Sequence, residues 1–177
     1  IGGRLLSADA NTRLYFRPTA DYSGTLPAAI TFRAWDRTTG TNGGTANTST
    51  NGGSTAFSVA TDNASLTVSA INDAPVITSN GGGVTAAVSA AENQIAVTTV
   101  VSSDVDGGAA VYLITGGADA ALFTINASTG ALSFVAAPNF EAPADSGGNN
   151  VYDVTVQVSD GNGGLDTQAI AVAVTNV

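Results

Sequence analysis

The sequence predicts an all-β protein made of two sandwich domains in tandem. Val, Thr and Ala alternate with polar residues in segments of five to nine residues, separated by clusters of Gly, Asn and Asp, which is the period-two pattern of half-buried strands. Helical spacing is almost absent. The chain also repeats itself: LYFRPTADYSG at 14–24 lies over LSFVAAPNFEA at 132–142 without a gap, and ITFRAWDRTTG at 30–40 lies over VTVQVSDGNGG at 154–164.

From Pro75 onward seven strands are expected: A near 84–90, B near 95–101, C near 109–115, D near 120–126, E near 131–136, F near 151–158 and G near 166–175. Seven short strands in about a hundred residues suggest an immunoglobulin-like Greek-key sandwich. The repeat pairs Phe16 with Phe134, Asp21 with Asn139, Tyr22 with Phe140 and Asp36 with Asp160, so the first 70 residues correspond to strands D to G alone. We therefore expect domain 1 over residues 1–72, incomplete at its N-terminus, and a complete seven-stranded domain over 73–177, as in a window cut from a tandem array. Half a sandwich leaves unpaired backbone and a bare apolar face, so the ladder beside residues 4–18 or 29–36 should be open or completed by another polypeptide. Between F and G of domain 1 lies a Gly-, Thr-, Asn- and Ser-rich insertion, residues 36–58, with too little apolar area to order more than a surface loop or a weak β-ribbon. Asp62 is expected on an exposed turn; Phe16, Phe123, Phe134, Phe140 and Trp35 are expected to pack in the cores.

A hydrophobic content of 44% in 177 residues excludes a disordered polymer. No apolar run approaches 18 residues and no signal peptide is visible, so membrane insertion is not expected. Cysteine is absent, which removes disulfides and thiol chemistry. All five basic residues are arginines within the first 37 positions, whereas eleven of the fourteen acids lie at 38–177. Such a surface is a poor partner for nucleic acid or anionic membrane. With no His, Cys or Lys no nucleophile and base can be assembled, and the paired carboxylates that might suggest glycoside hydrolysis are better explained as ligands; no enzyme is expected.

Strand parity says where those carboxylates go. If A runs away from the linker and successive strands alternate, the B–C and F–G turns return to the end nearest residue 73, bringing Asp104, Asp106 and Asp160 toward Asn72 and Asp73. The same logic in domain 1 adds Asp21, while Glu92, Asn139 and Glu141 fall at the far end. Taken singly, DVDGG and SDGNGG are ordinary hairpin turns. Taken together, oxygen-only donors of this number without cationic partners suit a hard cation, and Ca2+ tolerates six to eight irregular oxygens better than Mg2+ does.

Several motifs then carry a resemblance. LFTINASTGALSF at 122–134, AENQIAVTTVVSSDVDGG, NFE at 139–141, VSDGNGG at 158–164 and the linker NDAP occur in the order found in cadherin repeats, in the manner of bacterial cadherin-like repeats of large surface adhesins. The resemblance implies a Ca2+ site formed by Asn72, the carbonyl of Ala74, Asp104, Asp106 and Asp160, with Asp73 bridging to a second ion. Ala70 and Ser23 stand where the family has carboxylates for its other sites, so fewer than three ions are implied. Glu92, Asn139, Glu141 and Asn176 would be a half-site for a following repeat. The function implied is a calcium-stiffened segment of an extracellular or cell-surface adhesin or filament, with neighbouring repeats as partners and a surface glycan or protein receptor as a further one. A metal-independent spacer and a carbohydrate-binding module, with Trp35 as its sugar contact, are the alternatives.

Overall fold

The computed structural model describes residues 2–177. The chain divides into two compact units, Ile1–Ala70 and Ile71–Val177. Among its described residues unit 1 has four strands, β1 (Gly2–Arg4), β2 (Gly24–Phe32), β3 (Thr45–Asn47) and β4 (Asp62–Val68), paired as two separate ribbons, β1 with β3 and β2 with β4. No closed sandwich forms among its described residues. The insertion supplies β3 and so becomes a weak β-ribbon, stitched to β1 over the register Gly2↔Asn47 to Arg4↔Thr45. Leu5, Ala56 and Phe57 form a small core with Trp35 and Ala46 against it. Two local expectations fail here. Residues 12–19 carry no strand, and Phe16 is exposed rather than packed, because no strand lies beside that segment to pair or cover it. Asp62 is not on a turn but starts β4, where it remains exposed.

Unit 2 continues with β5 (Val76–Ile77), β6 (Thr85–Ala91), β7 (Ala96–Thr99), β8 (Ser102–Ser103), β9 (Val111–Gly116), β10 (Phe123–Ile125), β11 (Ala131–Phe134), β12 (Val151–Ser159) and β13 (Leu165–Thr175). One sheet has the order β6-β13-β12-β9 and the other β10-β11-β7, and β5 pairs with β8. All seven expected strands have counterparts, but three are subdivided. Strand A starts as β5 and crosses over residues 78–84 to become β6; strand B is split into β7 and β8; strand D opens with a 3-10 turn, Ala120–Leu122. The crossover has a polar cause. Gln168, fully buried on β13, donates Nε2 to the carbonyls of Ser79 (3.3 Å) and Gly83 (2.8 Å) and accepts from Asn80 Nδ2 (3.3 Å), while Asp166 accepts the Ile77 N–H (2.7 Å). A buried amide must find such partners, and only an irregular crossing offers free carbonyls.

The core follows from alternation. Val154, Val156 and Val158 of β12 and Ile170, Val172 and Val174 of β13 point inward from one sheet, meeting Phe123, Leu132 and Phe134 of the other. Phe123 and Phe134 stack at 4.7 Å between ring centroids, and Tyr152 meets Phe134 edge-on at 5.2 Å. Tyr152 keeps its hydroxyl satisfied by accepting the Ala144 N–H (3.1 Å). Phe140 is half-buried against the same core.

Gly130, in the turn before β11, has φ 70°, and a Cβ there would run into the Val100 carbonyl oxygen. Gly148 has φ 62° with open space around it. Both Ala variants pay the left-handed backbone cost of about 1–2 kcal/mol, but only Gly130→Ala must also displace backbone. We expect it to cost about 1–3 kcal/mol more than Gly148→Ala in urea denaturation; equal losses would contradict the close approach.

Candidate metal-binding pole

Asp160 follows β12 in the turn to β13 and is buried. Its Oδ1 accepts the N–H groups of Asn162 (2.7 Å) and Gly164 (3.0 Å), and its Oδ2 accepts Asn72 Nδ2 (2.7 Å). The Asn72 amide first, then the Asn162 N–H, holds the Asp160 carboxyl below the usual carboxylate range against the opposing effect of burial. Gly164 is required by space: a Cβ there would strike Asp160 Oδ2 and approach the Ala74 Cα.

Asp104 follows β8, half-buried, and its Oδ1 accepts the Asp106 N–H (2.9 Å) in an Asx turn closed by the Gly107 N–H on the Asp104 carbonyl (3.3 Å). Asp106, exposed, accepts the Asp73 N–H at 2.6 Å. Asp104 and Asp160 line one pocket of about 150 Å3 together with Ser102 and Pro75. The hydroxyl of Ser102 is tied to the Tyr112 hydroxyl (2.9 Å). Thus Asn72 meets Asp160, Asp73 meets Asp106, and Asp106 meets Asp104, all within unit 2. Asp21 belongs to unit 1, in a turn at φ 59°.

Among the described residues, no three carboxylates stand close enough to hold a cation between them. The carboxylate oxygens of Asp104, Asp106 and Asp160 are instead engaged by N–H donors. The donor set nevertheless fits a hard cation, since every side chain on it is an oxygen ligand or an amide and residues 71–177 contain ten carboxylates and no Lys or Arg.

The other expected set meets at the far end of β13. Glu92, buried, accepts the N–H groups of Phe140 (3.0 Å) and Val177 (3.2 Å); Asn139 accepts the Glu141 N–H (2.9 Å), and Asn176 Nδ2 donates to Glu141 (2.6 Å). Sequence reasoning missed Ser102 and the packing role of Gly164. It also missed Asp119 and Asp145, buried carboxylates that serve loops: Asp119 accepts the N–H groups of Ser146 (2.7 Å) and Asp153 (2.8 Å), and Asp145 those of Asn149 and Asn150 (both 3.0 Å). The Asn149 N–H is the chief reason that the Asp145 carboxyl is held low. A signal for the latter was the run ADSGGNN, an Asp followed by residues that tolerate tight turns.

Residues 72–173 match the family profile described as Bacterial Ig domain, which is more than half of the chain. The chain belongs to the bacterial Ig domain family. No curated protein sequence matches it. In fold, this bacterial Ig domain is similar to mouse cadherin-23 EC22-24 (18% identity, TM-score 0.54, covering 71% of this chain and 38% of that one). It is also similar to the protocadherin gammaB7 EC3-6 cis-dimer structure (20%, TM-score 0.52, 66% and 29%) and the protocadherin GammaB4 extracellular domain (21%, TM-score 0.51, 64% and 18%). The chain spans less than half the length of these structures. The protein is therefore a bacterial Ig repeat with a cadherin-like fold. Among the described residues no helix is long and apolar enough to cross a membrane.

Because Asp160 is held below its unfolded value of 3.8, its ionisation stabilises the bacterial Ig domain above that pH, and the contribution disappears as pH falls through the lowered native value. Without added metal, Asp160→Asn should flatten the fall in Tm between about pH 5 and 2, whereas Asp62→Asn should leave the profile as it is. Identical profiles for Asp160→Asn and the parent chain would contradict the assignment.

Proposed function

We propose that the chain is a calcium-stiffened repeat segment of a bacterial extracellular adhesin or surface filament, taking part in adhesion or forming its stalk. The observation that supports this most is that Asp104 and Asp160 face one pocket in a unit with ten carboxylates and no Lys or Arg. Asn72, the Ala74 carbonyl, Asp104, Asp106 and Asp160 would hold the ion, with Asp73 available to a second. Glu92, Asn139, Glu141 and Asn176 would take an ion only with a following repeat. Bound Ca2+ would supply the positive charge that the carboxylates lack, exchanging N–H bonds for metal–oxygen bonds. The consequence is mechanical: the linker residues 72–74 would be tied to the turns carrying Asp104 and Asp160, restricting hinging there. The partners in this reading are neighbouring repeats and a surface receptor, the setting is extracellular, and no catalytic role is assigned.

A second reading, a metal-independent spacer, is favoured by one observation: backbone and amide N–H groups already satisfy the carboxylates in pairs. Calcium titration separates the two. An ion that binds only the folded pole adds RT ln(1 + [L]/Kd), about 2.7 kcal/mol at a hundredfold excess over Kd. We expect Ca2+ to raise Tm and EDTA to reverse it, with Asp104→Ala or Asp160→Ala removing most of the response and Asp62→Ala keeping it. A Tm indifferent to Ca2+ would establish the spacer; equal loss in all three variants would reduce the effect to relief of net charge.

A further inference from the structure

The connection over residues 36–58 is a feature that unit 1 has and unit 2 lacks. In unit 2 the aligned segment after Asp160 is a short turn that leads straight into β13 at Leu165. In unit 1 the chain folds back on itself instead. Phe57 bridges to Trp35, the Asp36 N–H donates to the Ala56 carbonyl (3.0 Å), and the Gly52 N–H donates to the Phe57 carbonyl (2.8 Å). The result is a groove of about 330 Å3 whose lining includes Trp35, Asp36, Gly52, Gly53, Thr55 and Phe57. That volume falls within the roughly 300–1,000 Å3 of small-ligand sites.

Trp35 is half-buried, packed against the Leu5, Ala56 and Phe57 core, and its indole Nε1–H donates to the Thr39 carbonyl (2.8 Å). The ring is therefore held in place with its one donor used inside the protein, and what it offers the groove is apolar ring surface. Asp36 differs from its repeat counterpart. Both oxygens of Asp160 are engaged within unit 2. Asp36 is exposed: its Oδ1 accepts both the Thr38 hydroxyl (2.7 Å) and the Thr38 N–H (2.8 Å), which leaves Oδ2 to a donor from outside. The Thr38 hydroxyl, then its N–H, keeps the carboxyl below the usual carboxylate range, so at neutral pH it is an anionic acceptor. A Cβ on Gly53 would meet nothing within 4 Å, so that side of the groove stands open.

We propose that this groove binds one ring of a neutral saccharide, which rests its C–H groups on the Trp35 indole and donates a hydroxyl to Asp36 Oδ2. A pyranose has the chemistry that these two residues call for, with apolar C–H faces and a rim of hydroxyl donors. A purely apolar ligand would cover the indole and leave the Asp36 carboxylate without a donor. The inference uses residues of unit 1 alone and is independent of calcium.

Trp35 is the single tryptophan, so its emission reports on the groove directly. The 177-residue chain is titrated in EDTA with linear α- and β-linked tetrasaccharides of glucose, N-acetylglucosamine, mannose and galactose, and with sorbitol, which has the hydroxyls without the ring. At least one tetrasaccharide should shift the emission to the blue with a Kd on the order of 1 mM, and sorbitol should not. Asp36→Asn keeps an Oδ1 acceptor for Thr38 and turns Oδ2 into a donor. Gly53→Asn, at φ 57°, where Asn is tolerated, places a side chain at the open side of the groove. Each should weaken binding at least about tenfold while leaving Tm as it is. No response to any tetrasaccharide overturns the proposal. So does a response that sorbitol reproduces, or one that both variants retain, which would put the sugar elsewhere on the chain.

Discussion

The β12–β13 hairpin is the element on which the rest of unit 2 depends. Its nine-pair register, from Val151↔Ala173 to Ser159↔Leu165, supplies seven of the buried core side chains and serves as the central pair of the four-stranded sheet. Both acidic ends are defined by it. Asp160 stands in its turn, and at the opposite end the Thr175 carbonyl accepts the Glu92 N–H (3.0 Å). A slip of one residue in this ladder would turn the valines outward and move Asp160 off the pocket. The packing of the core and the position of the carboxylates are thus fixed by one set of backbone bonds.

The charge distribution imposes a second constraint. Without a cation of its own, unit 2 must stabilise its carboxylates by other means, and it uses N–H groups of loops and turns. This works for single carboxylates, as at Asp119 and Asp145, where each oxygen meets backbone and no ion is needed. At the Asp104–Asp160 end the arrangement is more open. Asp106 and Asp73 remain exposed, and a pocket is left between Asp104 and Asp160. The same side-chain chemistry therefore closes a loop in one place and borders an open pocket in another.

Much of this was legible in the sequence where side-chain period determines structure. The alternation in VYDVTVQVSD and AIAVAVT marks β12 and β13, and strand parity brought Asp104, Asp106 and Asp160 to one end because hairpins reverse direction. What escaped was whatever depends on non-local partners. Nothing in VITSNGGGV states that Gln168, almost ninety residues away, will hold it as a crossover. LYF at 14–16 by itself reports only the strand it is suited to form, and it was the comparison with residues 132–134 that announced a ladder left open there; that the segment would then form no strand at all was not legible. The pairing of the pole's carboxylates with N–H donors was likewise invisible, since it is set by turn geometry at the scale of single bonds.

The parallel pairing of β6 with β13 carries a consequence for a protein under load. Seven register pairs, Thr85↔Ala169 to Ala91↔Thr175, join the first long strand of the unit to its last, running in the same direction. Tension applied through the two ends of the unit pulls such strands past each other along their length. The ladder is then loaded in shear, with its hydrogen bonds sharing the force, where an antiparallel terminal pair would be peeled open one bond at a time. The short β5–β8 contact, only two residue pairs long, precedes it and would give way first, so that a small extension is released before the main ladder bears the strain.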